Sequence, residues 1–197
     1  MKRLLPVASL ACLVLLLAAC GPAKPVTYAN PELALTVTYP GDWQPVERGD
    51  FDKGMAEVKE KTQLSTDGVA AAFDHAVLAI AKKTKGDLRD SPNFIALSVP
   101  VSASECAAAR DPRFFDVDTA AITRQVPNAR QIISRHVAVA GISGHSFEYE
   151  MMGRKLLQHR YWYCAKNNFV LLQGTSSTPE GEAEVKSVLQ AVAVSAH

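Results

Sequence analysis

Residues 146–175 read SFEYEMMGRKLLQHRYWYCAKNNFVLLQGT, and this block decides the fold. Three strand-like runs, Ser146 to Met151, Leu157 to Cys164 and Phe169 to Thr175, are rich in aromatic and apolar residues suited to a pleated surface. Gly153-Arg154 and Lys166-Asn167-Asn168, residue types that favour turns, separate them. The pattern predicts an antiparallel meander. Taking Gly153-Arg154 as a two-residue turn with glycine first, as type II′ turns prefer, sets Glu148 opposite His159, Glu150 opposite Leu157 and Ser146 opposite Tyr161. Carried through Asn167-Asn168, the register groups Phe147, Tyr149, Trp162, Cys164, Phe169 and Leu171 on one face, apolar enough to be core. The other face carries Ser146, Glu148, Glu150, His159, Tyr161 and Tyr163, a mixture of carboxylates, imidazole and phenols that makes it the candidate ligand or partner surface. The competing reading is a packed or solvated sheet face on which Glu148 and His159 form a cross-strand pair.

Working outward, Leu33, Leu35, Val37 and Tyr39 alternate with Ala34, Thr36 and Thr38, a half-buried strand that ends at the turn Pro40-Gly41-Asp42 before Trp43. The stretch Lys53 to Phe73 has helical composition, with a break near Thr66 to Gly68. His75 to Ala81 and Phe94 to Val101 read as strands joined by the polar loop Lys82 to Asn93. Ser102 to Arg110 and Asp118 to Val126 read as short helices, the second capped by Asp116 or Asp118, and Ile132 to Val139 reads as another strand. Thr178 and Pro179 open a final amphipathic helix marked by Val185, Val188, Leu189 and Val192.

At the front, Met1, Lys2 and Arg3 precede an apolar run from Leu4 to Leu17, the layout of a signal peptide. The run is too short for a comfortable bilayer span, which takes about 20 residues. Leu17-Ala18-Ala19-Cys20 then resembles a lipobox, the recognition site of bacterial lipoprotein signal peptidase. That resemblance implies a diacylglyceryl group on Cys20, cleavage just before it and acylation of the new amino end. Gly21 in place of Asp resembles lipoproteins sorted to the outer membrane of a Gram-negative cell. The expected organisation is a leader over 1–19, a lipidated tether over 20–27 rich in Gly and Pro, and a single domain over 28–197.

Of four cysteines, Cys12 leaves with the leader and Cys20 is taken by lipid, so Cys106 and Cys164 remain as an even pair in an oxidising compartment. Either they form a disulfide or they are two separately buried thiols. Hydrophobic residues make up 48% and charged residues 21%, proportions of a folded domain. Twenty-one Lys and Arg against twenty Asp and Glu leave a net charge of +1, too little to draw in nucleic acid.

The run YANPELALTVTYPGDWQ from Tyr28 to Gln44 resembles the opening of PsbP-like lipoproteins, an apolar strand running into Tyr-Pro and then Trp, here Tyr39, Pro40 and Trp43. Val139-Ala140-Gly141-Ile142-Ser143-Gly144, leading into a strand, a hairpin, another strand and a last helix, matches the same layout. The resemblance implies an α+β fold, an α/β/α sandwich on a mainly antiparallel sheet, and an envelope setting. It implies no reaction, because fold alone does not carry function.

Motifs for chemistry are weak. Gly141-Ile142-Ser143-Gly144 lacks one residue of the G-x-S-x-G elbow and its strand-turn-helix context. His145 and Glu148, three apart on a strand, point to opposite faces and do not make a metal pair. No H-E-x-x-H, C-x-x-C or Walker motif occurs. The expectation is therefore a non-enzymatic envelope lipoprotein, without metal or cofactor, that binds or assembles another envelope protein. A small-ligand or metal carrier, or an unrecognised enzyme, using Glu148, His159 and Tyr161 is the alternative.

Overall fold

In β2 (Leu35–Tyr39), Leu35, Val37 and Tyr39 are buried while Thr36 and Thr38 are half-buried, so the two-residue alternation is realised as strand. Leu33, expected to open this strand, closes a 3-10 turn over Pro31–Leu33 instead. The Asn30 side chain accepts from the Leu33 N–H at 3.3 Å, and Ala34 takes a left-handed conformation at φ 53°. The turn sends the chain back along β1 (Val26–Asn30), antiparallel to β2 with Val26 opposite Tyr39. On the other side of β2 lies β10 (Val192–Val194), completing a three-stranded sheet. This computed structural model describes residues 23–62, 67–82, 91–111, 113–126, 129–151 and 153–195. The leader, Cys20 and Gly21 lie outside them.

The meander sits within a seven-stranded sheet of order β3-β4-β5-β9-β8-β7-β6. Its strands are β3 (Trp43–Pro45), β4 (Ala76–Lys82), β5 (Asn93–Pro100), β6 (Arg130–Val139), β7 (Ile142–Met151), β8 (Arg154–Ala165) and β9 (Asn168–Ser176). Every ladder is antiparallel. Between β3 and β4 come α1 (Arg48–Thr62), starting five residues before the expected helix, and α2 (Asp67–Phe73). They are held together by stacked Phe51 and Phe73, 3.9 Å between ring centres, and by an Arg48–Asp74 ion pair.

One face of the large sheet is closed by α5 (Pro179–Gln190) and the three-stranded sheet. Val185, Val188 and Leu189 of α5 and Leu35 and Val37 of β2 meet Phe94, Val170 and Leu172 in the main core. Each such side chain contributes about 2 kcal/mol on burial. The helix begins as its sequence requires, with Thr178 Oγ1 accepting from the Gly181 N–H at 3.0 Å and Pro179 in the first turn. It lies close because β9 offers Gly174 there: a Cβ at that position would stand 2.3 Å from Val185 Cγ1.

The opposite face is closed by α3 (Ala103–Arg110) and α4 (Phe114–Gln125). A capping box between Ser102 and Glu105 starts α3, whose Cys106 and Ala109 are buried. Cys106 is disulfide-bonded to Cys164 of β8, with Cα atoms 5.9 Å apart, and Trp162 Nε1 donates to the Ala109 carbonyl at 3.0 Å. Helix α4 begins four residues before the expected start and has no side-chain cap, so neither Asp116 nor Asp118 serves as one. Among the described residues, no helix is long and apolar enough to cross a membrane.

Candidate functional site

Both turns sit one residue earlier than the sequence reading set them, which slides each pairing by two residues. Met151 pairs with Arg154, so the first turn falls between them, with Gly153 at φ 73°. Ala165 pairs with Asn168, so the second is Lys166-Asn167 with Lys166 at φ 52°. A two-residue slide changes partners but not faces. Ser146 therefore stands opposite His159, Glu148 opposite Leu157, Glu150 opposite Lys155, and Tyr161 opposite Gly144.

The grouping of Ser146, Glu148, Glu150, His159, Tyr161 and Tyr163 on one face is realised, but most of that face is core beneath α5 and the small sheet. Ser146, His159 and Tyr161 are 0%, 4% and 4% exposed. Burial pushes the Tyr161 phenol up to about 12, and it pushes Tyr163 above the ordinary range too. Tyr163 donates to the Leu33 carbonyl at 3.0 Å. Glu148 is held by Lys155 at 2.5 Å, diagonally across the strand pair and two residues from its direct partner Leu157, and Glu150 is exposed near the strand end. The proposed Glu148–His159 pair does not form.

His159 engages Ser146 instead, Nδ1 to Oγ at 2.6 Å, and its Nε2 lies 3.8 Å from Glu182 of α5. Serine, imidazole and carboxylate in series have the elements of a hydrolytic triad. The arrangement does not act as one, because Ser146 Oγ is sealed from substrate and Glu182 is committed to Lys186 at 2.5 Å. It fastens α5 to the sheet.

A second polar cluster lies on the other face, where the sequence reading placed only apolar core. Asp118 of α4 lies 2.6 Å from His145 Nε2, and Arg160 donates to both carboxylate oxygens at 3.0 Å. Arg160 also donates to Gln173 Oε1 at 2.8 Å. Burial opposes ionisation of Asp118, but the His145 contact and the Arg160 charge outweigh it and hold the carboxyl below its usual range. Phe115, Phe147 and Trp162 meet the His145 ring edge-on at 5.5, 4.4 and 5.1 Å. With His145 fully buried, this array positions α4 over β7, β8 and β9 and offers no open reaction site. His145 and Glu148 face opposite sides of the sheet.

The architecture is an α+β sandwich with both faces of its sheet covered, a fold it shares with solved structures of distant sequence. Solved structures that share the fold have very different sequences. LpqN of Mycobacterium tuberculosis, described as involved in cell envelope biogenesis, is 14% identical over 88% of this chain and 90% of its own, with a TM-score of 0.50. A Bacteroides thetaiotaomicron structure is 11% identical over 90% of this chain but only 50% of its own, also at 0.50. Cyanobacterial PsbP from Synechocystis is 13% identical over 90% and 96% of the two chains, at 0.47. No family model and no curated protein sequence matches this chain.

Proposed function

We propose that this chain is a lipid-anchored, non-enzymatic factor that binds or helps assemble another protein of the bacterial envelope, held through Cys20 on the periplasmic face of the outer membrane. The observation that carries the reading is Leu17-Ala18-Ala19-Cys20 after a charged start and an apolar run, ahead of a separately folding domain. Both sheet faces of that domain are used for packing, and its Ser–His and Asp–His pairs are sealed, which favours work done at the outer surface. The description of LpqN as an envelope-biogenesis protein is consistent with this setting.

Affinity capture from crosslinked envelopes tests it. A specific envelope protein should be enriched over an untagged control, and recovery of nothing above that control would end the proposal. The carrier alternative has lost its entrance, since His159 and Tyr161 lie in the core. A thermal shift of the parent protein with divalent metal ions, abolished by His159→Ala, would restore it.

A further inference from the structure

At the end of the sheet where β8 turns into β9, an open cleft of about 270 Å³ is lined by Ala34, Arg110, Tyr163, Cys164, Ala165, Lys166, Val194 and Ser195. This is near the lower limit of small-molecule sites, roughly 300 Å³, so it suits one terminal residue better than a large ligand. Its walls mix polar and apolar groups, and the charged side chains that line it, Arg110 and Lys166, are both cationic. Arg110, in the last turn of α3, has no ion-pair partner among the described residues. The acid beside it, Asp111, is taken by Arg113 at 2.6 and 3.0 Å, and that pairing holds Asp111 down at about 2. Lys166 meets Glu32 at 2.5 Å, an exposed surface pair that contributes little and is easily exchanged. The phenol of Tyr163 has its pKa raised by burial and its proton committed to Leu33, so it adds no negative charge.

The cleft also borders an open strand edge. Ser195 N–H bonds to the Ala34 carbonyl and Thr38 N–H to the Ala191 carbonyl, so alternate residues of β10 turn their backbone groups toward β2. Val192 and Val194 then turn theirs outward, on the side where the three-stranded sheet has no further strand among the described residues. An outward-facing backbone pair beside unpaired cationic charge suits an extended chain that ends there in a carboxylate.

We propose that this cleft receives the free C-terminal carboxylate of a partner polypeptide, with Arg110 and Lys166 taking the carboxylate and the outer edge of β10 pairing with the last residues. The proposal deepens the partner-binding reading and names its surface. Its position fits the proposed anchor: Lys24 lies against Gly41, at the Tyr39 end of β2, whereas the cleft lies at the Leu35 end. The site faces away from where the chain enters.

The test uses the full chain in detergent micelles and a blocked peptide, N-acetyl-Thr-Val-Thr-Val, as free acid and as amide. The acid should shift the backbone amide resonances of Ala34, Ala165, Lys166, Val194 and Ser195. The amide should bind about tenfold more weakly, and Arg110→Gln should weaken the acid by a similar factor, as loss of one charged hydrogen bond implies. Lys166→Gln should weaken it less. Absence of these shifts, equal binding of acid and amide, or an unchanged affinity in Arg110→Gln overturns the proposal. If crosslinked capture still recovers a partner in Arg110→Gln at undiminished yield, the cleft assignment fails while the partner-binding reading stands.

Discussion

Asp118 shows what a single side chain does when its neighbours are chosen for it. Its carboxylate is largely buried, bound by Arg160 and His145, and removing it leaves a guanidinium in the interior without its counter-charge. Breaking a buried pair by deleting one partner costs about 3 kcal/mol or more, so Asp118→Ala should lower the unfolding free energy by that order in urea titrations. A carboxyl whose folded pKa is depressed stabilises the protein above its unfolded pKa and stops doing so as pH falls through the folded value. The gap between wild type and Asp118→Asn should therefore narrow in acid, below the usual Asp range near 3.9. A gap independent of pH would show that the carboxylate charge is not what matters. Nothing in the sequence announced this cluster. Asp118 was read as a helix cap and His145 was weighed only against Glu148, because the pairing that unites them spans α4, β7 and β8 and leaves no local spacing to see.

Packing between elements explains which expectations held. The strands of the meander were legible because their apolar residues alternate, and parity survived even though both turns fell one residue from the expected place, because that slides the register by two. Partner identity did not survive, since it depends on where each turn begins, and either placement preserves the faces. The strands β1 and β3 were missed for a different reason: β1 is exposed or half-buried along its whole length and so carries little alternation, and β3 is only three residues long. Contact between α5 and β9 should be sensitive at Gly174. Gly174→Ala forces a methyl against the stiff, β-branched Val185 and should cost about 2 kcal/mol, while Val185→Ala in the same chain should recover part of the loss. Additive losses measured by denaturant unfolding would contradict the contact. Across the other face, the Cys106–Cys164 link closes a loop of 58 residues, so replacing both cysteines by Ala should lower stability by roughly 4 kcal/mol in the chain-entropy view.

For the whole molecule, the fold was far more legible than its use. Alternation gave the meander, because burial patterns report on every residue of a core, whereas the sandwich came only as what the resemblance carried by Tyr39, Pro40 and Trp43 implies. A binding surface leaves no such period: Arg110 and Lys166 come from separate elements, and the candidate face of Ser146, His159 and Tyr161 was polar in composition yet lay inside. The proposed anchor has its own test. Cys20→Ser should move the protein from the membrane fraction to the soluble fraction after lysis, and a variant that stays with the membrane would remove lipid on Cys20 as the means of attachment. The starting point of β1 adds one consequence. With lipid on Cys20, only residues 20–25 separate the bilayer from the first strand at Val26, a leash of about 20 Å when fully drawn out. A component fixed to the same membrane within that radius meets the domain at an effective concentration on the order of millimolar, so weak contacts suffice there. One standing farther off than the leash and the breadth of the domain together is out of range.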